Sequence, residues 1–368
     1  LKDTLENSQL INSGATQAAN LLSKGRAISL SAAIGGKIFS QIKYFNISYS
    51  EELQVALQTW LSSFISLGVT PDLPDSTTEK FPERHVPYVF EKYEVPSSFL
   101  VNFWENLGII VFVTVLWLLF KGIEHVISPK ENPRVASFTR NIRVMAQNFL
   151  LSALYGVYGD LILFAIIEYR SFTFGWDLSL WSFIISIIFI AVMFIIFYHQ
   201  IHILLTYQKM KKQKDNNKSQ TSSPDPLENF MKEHEGSQVF FKDFKDYSFA
   251  PQLFLLFLTG RDILFCLVLA TMFEYPLVQT ILITILNCLM IAYLFIKKPF
   301  ENTFDFVQQL FFEFIGIIVN ITVFINAIFD AGKYQTLQGR INIGKLIIIM
   351  NMLFNFVTAI FMIIITGQ

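Results

Sequence analysis

Four charged residues stand inside stretches of this chain that are otherwise apolar, and these are the residues able to do chemistry. Arg261 and Asp262 are adjacent in LFLLFLTGRDILFCLVLATMF (253–273). Asp160 sits in YGVYGDLILF (155–164), and Glu313 follows Gln309 by four residues in a third run. A charge at a bilayer centre costs at least about 2.5–3.5 kcal/mol, so such residues turn toward protein or water and mark ion paths or interhelical pairs. Neighbours on a helix point about 100° apart, so Arg261 and Asp262 cannot pair ideally with each other. At a rise of 1.5 Å per residue, Arg261 lies about 20 Å along its span and Asp160 about 23 Å along a span of the same direction. The expected arrangement is therefore an Arg261–Asp160 ion pair, with Asp262 accepting from a third helix or flanking Arg261.

A second polar set follows. Gln309, Glu313, Gly316 and Asn320 fall on one stripe of a helix, and Asn351, Asn355 and Thr358 on another. If the stripes face each other they line a conduit with Glu313 as its charged ring. The same residues also serve as hydrogen-bonding glue between helices. His199, His202 and His125 fall at one membrane face, but no carboxylate or cysteine completes a metal site there. No metal or cofactor is expected. There is no nucleophile motif, phosphate loop or HExxH, so nothing supports an enzyme.

The elements that must position these residues are long apolar helices. Of the 368 residues, 53 % are hydrophobic and only 15 % charged, against about 25 % charged in soluble domains. Seven runs are long enough to cross a bilayer: 103–126, 145–168, 179–206, 249–272, 276–297, 305–329 and 342–366. The fold class is all-α, a polytopic transmembrane bundle of about seven spans. Residues 1–100 precede it as a small, partly helical exofacial region. Spans one to three occupy 101–207, a basic and partly disordered cytoplasmic loop 208–247, and spans four to seven 248–368. In the first region, 15–45 is interrupted by Lys24, Arg26 and Lys37, which makes it a poor spanning helix and predicts an amphipathic helix on the membrane surface. A second amphipathic helix is expected at 51–67.

Basic residues crowd two connections, 121–143 and 208–247, the second opening QKMKKQKDNNK. Basic loops stay cytoplasmic, which puts the N-terminal region outside and the C-terminus inside. Asn46-Ile47-Ser48 is then a glycosylation acceptor on the outer side. The net charge of −1 gives no reason to expect nucleic acid. The partners expected are the bilayer itself, ions, and further copies or other membrane proteins. The chain opens on Leu1, after which no signal peptide follows, and is expected to be the C-terminal part of a longer protein. Plasma, secretory-pathway or ciliary membrane suits it.

The run FKDFKDYSFAPQLFLLFLTGRDILFCLVLATMFEYPLVQTILITILNCLMIAYLFIKKPFENTFDFVQQ (241–309) resembles the TRP-like membrane proteins of fungi and ciliates, the group that includes the fungal flavin carriers. An Arg-containing helix, a YPLVQ turn, a long span, a KKPF exit and a helix with paired Gln carry the likeness. IFSQIKYFNISYSEELQ (38–54) is similar to the segment before the first long spans of the ciliate members, which often carry a cysteine-rich ectodomain upstream. The resemblance covers roughly 30–368 and implies cation conduction or cofactor transport. One departure stands out: the connection 330–342 is too short for a pore helix and filter, so an ion path would run through side chains of the bundle. Three readings follow: a cation channel or channel-like transporter, a non-conducting anchor for a large ectodomain, and a seven-span receptor. The receptor comes last, because no DRY-like or NPxxY-like signal stands at the helix ends.

Overall fold

The computed structural model describes residues 27–60, 73–74, 81, 84–126, 133–216, 226–332 and 337–367. They form α1 (Ala27–Gln41), α2 (Glu51–Thr59), α3 (Tyr88–Glu91), α4 (Phe99–Val126), α5 (Pro133–Ser171), α6 (Leu178–Asn216), α7 (Pro226–Glu233), α8 (Phe249–Gln252), α9 (Phe254–Thr271), α10 (Pro276–Lys297), α11 (Thr303–Ala331) and α12 (Leu337–Gly367). No strand occurs among the described residues. Seven helices, α4, α5, α6 and α9 to α12, are long and apolar enough to cross a membrane. They correspond one for one to the seven runs read from the sequence.

The seven are not equivalent. In α5 the most apolar window is 78 % buried, whereas in α6 it is 17 % and in α4 22 %. α5 is thus an interior helix, and α4 and α6 present most of their apolar surface outward. In an apolar solvent this is no defect, since lipid tails satisfy the outward Ile, Leu and Phe as well as protein would.

The main departure from the sequence reading is α1. It is interior, not a surface helix: Ala27, Ile28, Leu30, Ser31, Ala32, Ile34, Lys37 and Phe39 are all buried. α1 packs against α5, α9, α11 and α12. At one end the Ala27 amide donates to Asp243 Oδ2 at 2.9 Å, next to the α10–α11 turn, where Glu301 N reaches Asp243 O at 3.1 Å. At the other end Ser48 N donates to Asp330 Oδ2 at 2.6 Å, and Asn326 and Arg340 donate to Ser48 O at 3.0 and 2.9 Å. Asp243 lies where α11 begins, and Asp330 where it ends. Residues 27–48 therefore thread the bundle from end to end, although α1 itself is only about 22 Å long at helical rise.

The physical reason is visible in the residues. Gly35 and Gly36 let α1 approach closely: a Cβ on Gly35 would lie 3.6 Å from Phe312 Cβ, and one on Gly36 3.2 Å from Phe354. Small residues at an interface are the usual means of close packing between helices in lipid. Lys37, which argued against a lipid-facing span, is neutralised inside the protein instead (below).

Local signals fix the ends of the other elements. Pro276 stands in the first turn of α10, and Lys298 ends the helix in the left-handed region at φ 41°, a conformation that costs a non-glycine residue about 1–2 kcal/mol. The Asn302 side chain caps α11 by accepting from Phe304 N at 3.0 Å. At the same end of the molecule the basic connection is largely structured. Arg140 donates twice to Glu235 Oε2, at 2.8 and 3.1 Å, Arg143 pairs with Glu124, and Lys211 with Asp246 at 2.6 Å. Much of its positive charge is thus paired locally. Residues 217–225, where the sequence predicts disorder, lie outside the described residues, as do 61–67 of the second amphipathic helix.

Candidate functional site: a buried charge network

The site is where α1, α5, α9, α10 and α11 meet. α5 and α9 approach closely because Gly159 has no side chain: a Cβ there would collide with the Asp262 carboxylate and Cys266 Sγ. Asp160, the next residue, points to α1, where Lys37 Nζ donates to its Oδ2 at 2.6 Å. Both side chains are only 5 % exposed. One turn on, Gln41 Nε2 donates to Cys266 Sγ at 3.0 Å. α1 thus lies against the α5–α9 seam as a strip of donors.

The Arg261–Asp160 pairing expected from depth does not form. Arg261 Nη1 donates to Glu313 Oε2 on α11, and Gln309 Nε2 occupies the other carboxylate oxygen at 2.8 Å from one turn away. Two carboxylates stood at suitable depth, and Lys37 takes the one on α5, leaving Arg261 the one on α11. Asp262 neither accepts from a third helix nor flanks Arg261. It lies buried against Gly159, and its Oδ2 has no hydrogen-bond partner among the described residues.

The two polar stripes are also differently disposed from a facing pair. Gly316 looks toward α1 and α10, since a Cβ there would be 3.8 Å from Ile38 Cδ1 and 3.9 Å from Asn287 Nδ2. Between α11 and α12 stand aromatic rings: Phe39 of α1 lies 5.5 Å from Phe354, Phe312 lies 5.1 Å from Phe354, and Trp60 meets Phe39 edge-on at 5.8 Å. Asn355 donates to Asn351 along its own helix at 3.2 Å. Asn320 is buried, with no partner for either side-chain polar atom among the described residues. Asn46 is exposed, two residues from the Ser48 contacts with Asp330 and Arg340. Among the described residues no group of three or more His, Cys, Asp or Glu could hold a metal.

Arg261, Asp262, Glu313, Gln41, Asn287 and Gly316, with apolar neighbours from α1, α9 and α11, bound a cavity of about 20 Å³. That is room for about one water molecule. Gln41, Gly159, Cys266 and Asn287 were not singled out from the sequence, and Lys37 was read only as an interruption of a spanning helix. A lone Lys and a Gln beside two glycines, in a stretch too polar for lipid, was the available signal of a helix buried in protein.

Glu168 was also missed. It is buried at the far end of α5, where its Oε2 accepts from Phe99 N at 3.3 Å and from Ser182 Oγ at 2.9 Å, while Leu100 N donates to Ser182 Oγ at 2.9 Å. The first amides of α4, which lack intrahelical partners, are thereby satisfied from α5 and α6.

A search of curated proteins and a search of solved structures return no match. The family profile described as transient receptor potential (TRP) ion channel matches residues 8–367, which takes in α1, the charge network and all seven long helices. The chain is an integral membrane protein and belongs to the transient receptor potential (TRP) ion channel family.

Proposed function

We propose that the protein is a cation channel of the TRP type, of the group found in fungi and ciliates, with Asp160, Arg261 and Glu313 beside its ion path. One observation carries the reading. A member of this family places three anions and three cations (Asp160, Asp262, Glu313, Lys37, Lys43 and Arg261) inside a helix bundle built of apolar residues. Ionised groups in such a place are costly and mark pathways of charge. The conformation described is closed within one copy, because Phe39 of α1 and the Phe312 and Phe354 rings clustered with it fill the space between α11 and α12. Opening requires α1 to move or copies to assemble around a shared path. Asn320, Asn351 and Asn355 supply polar surface for a path once α1 shifts.

The face with the paired basic residues is cytoplasmic by the positive-inside rule. Asn46 is then outside or in the lumen and open to glycosylation, in a plasma, secretory-pathway or ciliary membrane. The experiment is reconstitution of the purified chain in planar bilayers with voltage steps in sodium and potassium solutions. Cation-selective current, altered in conductance or open probability by Glu313→Gln, supports the proposal. Folded protein that carries no current at any voltage refutes it.

The non-conducting anchor is the second reading, favoured by the filled centre of the bundle. It predicts the absence of current together with full stability of the charge network.

A further inference from the structure

The turn joining α5 to α6, residues 172–177, holds large aromatic side chains in the open. Trp176 is 91 % exposed and Phe174 75 %, and their rings meet edge to face at 6.3 Å. The turn is pinned from within. Arg84 Nη2 donates to Thr173 O at 3.1 Å, the Arg84 guanidinium lies 5.4 Å from the centre of the Phe172 ring, and Arg84 reaches the Asp177 carboxylate at 4.0 Å. Phe172 stacks on Phe183 of α6 at 4.3 Å. Asp177 Oδ1 accepts from Ser179 N at 3.0 Å, the capping bond that starts α6. A fixed backbone therefore packs Phe172 and presents Phe174 and Trp176 outward. The turn also stands at a defined level. α5 ends at Ser171 and α6 begins at Leu178, and both are long and apolar enough to span a membrane, so the turn lies where those spans leave the hydrocarbon. The α6 surface next to it is outward and apolar, with Trp181, Ile187 and Ile188 all exposed. At the same end, Arg170 of α5 lies over Phe273 at 4.7 Å, beside the α9–α10 turn, where Tyr275 is exposed.

We propose that the α5–α6 turn is a phospholipid-binding wedge, with Phe174 and Trp176 seated at the boundary between headgroups and acyl chains. Continuity carries the choice of partner: the patch prolongs the lipid-facing surface of α6 to its edge, with no polar rim between them. The residue types agree, because a ring with an apolar body and an N–H donor is best placed where hydrocarbon meets water. Held in water, the same rigid pair is an unpaid apolar patch of the kind that otherwise marks an interaction site. The only acid of the turn, Asp177, is matched by Arg84, so the wedge selects no headgroup charge and neutral phosphatidylcholine suffices. Arg84 belongs to the segment before α3, so the seated turn also holds that segment at the bilayer surface. The inference is independent of conduction and holds for a channel or an anchor.

The test uses Trp176 as its own depth gauge, in the full chain reconstituted into phosphatidylcholine vesicles. Trp104→Phe, Trp117→Phe and Trp181→Phe together leave Trp176 and the buried Trp60 as the fluorescent indoles, and adding Trp176→Phe isolates the Trp176 emission by difference. The vesicles contain phosphatidylcholine brominated either high on the acyl chain, near the headgroup, or low, near the bilayer centre. The expected result is quenching of Trp176 about twofold stronger by the high bromines than by the low ones, with little effect of iodide in the aqueous phase. Should the triple background fail to fold, the natural chain and Trp176→Phe alone give the same difference. Quenching by iodide and not by brominated lipid puts the turn in water and overturns the proposal. Quenching by neither means that protein covers the turn, and quenching as strong from the low bromines means that it lies deep in the hydrocarbon; each of these overturns it too.

Discussion

Lys37→Met is the most informative single change, because it strands the Asp160 carboxyl in the core with its partner gone. The pair is short, 2.6 Å, and each side chain is 5 % exposed, so neither solvent nor salt can take over the lost contact. Removing one member of a buried pair costs about 3–5 kcal/mol, mostly for stranding the other charge. Asp262 worsens the loss, since a second carboxylate stands on the far side of Gly159. Replacing both members is a different case: an apolar pair of similar volume is often neutral or stabilising by about 1–4 kcal/mol. The double variant Lys37→Met with Asp160→Leu should therefore be more stable than Lys37→Met alone, and the cycle should give a coupling energy of about 3 kcal/mol. The assay is reversible unfolding in mixed micelles, followed by far-ultraviolet circular dichroism and fluorescence, for the natural chain, both single variants and the double variant. Single variants costing less than about 1 kcal/mol each, with additive effects, are what exposed pairs give. That result would refute the placement of α1 inside the bundle.

Three further outcomes follow from the same geometry. Glu313→Gln strands Arg261 and should cost about 3–5 kcal/mol, whereas Gln309→Leu removes one charge-assisted hydrogen bond and should cost about 1.5–3 kcal/mol; the same unfolding assay ranks them. Gly159→Ala drives a methyl into the Asp262 carboxylate and Cys266 and should cost about 1–3 kcal/mol, while Gly260→Ala, with nothing within 4 Å, should be neutral or stabilise by up to about 1 kcal/mol. Glu168→Ala uncovers the first amides of α4 and should cost about 1–2 kcal/mol, with amide exchange at Phe99 and Leu100 accelerated relative to the middle of α4.

The seven long helices were legible because hydropathy over some twenty residues is a strong signal that needs no partner information. α1 was not. It is 15 residues long, it carries Lys37, and a rule that assumes lipid on every side rejects it. The burial of α1 depends on Asp160, well over a hundred positions away, and on Phe312 and Phe354 matching its glycines. Arg261 shows the same limit. Depth along a helix pointed to Asp160, but Lys37 of α1 takes that carboxylate and Arg261 pairs with Glu313, whose depth the sequence reading did not compare. Whether the Glu313 stripe faces α12 was left open by the sequence, since helical spacing gives a residue's face and not that face's neighbour; Glu313 meets Arg261 of α9. Glu168 gave no signal at all, because an acid near the end of a span reads as interfacial.

The central claim is that residues 27–48 run through the inside of the bundle, and chemical crosslinking in native membranes tests it most directly. In a background with Cys266→Ala and Cys288→Ser, Ile38→Cys on α1 is paired with Gly316→Cys on α11, two positions in contact across the interior. The account predicts an intramolecular crosslink with a short thiol-specific reagent, and protection of both thiols from a lipid-soluble maleimide. No crosslink, together with ready labelling of Ile38→Cys from the lipid phase, would put α1 on the membrane surface and contradict the account.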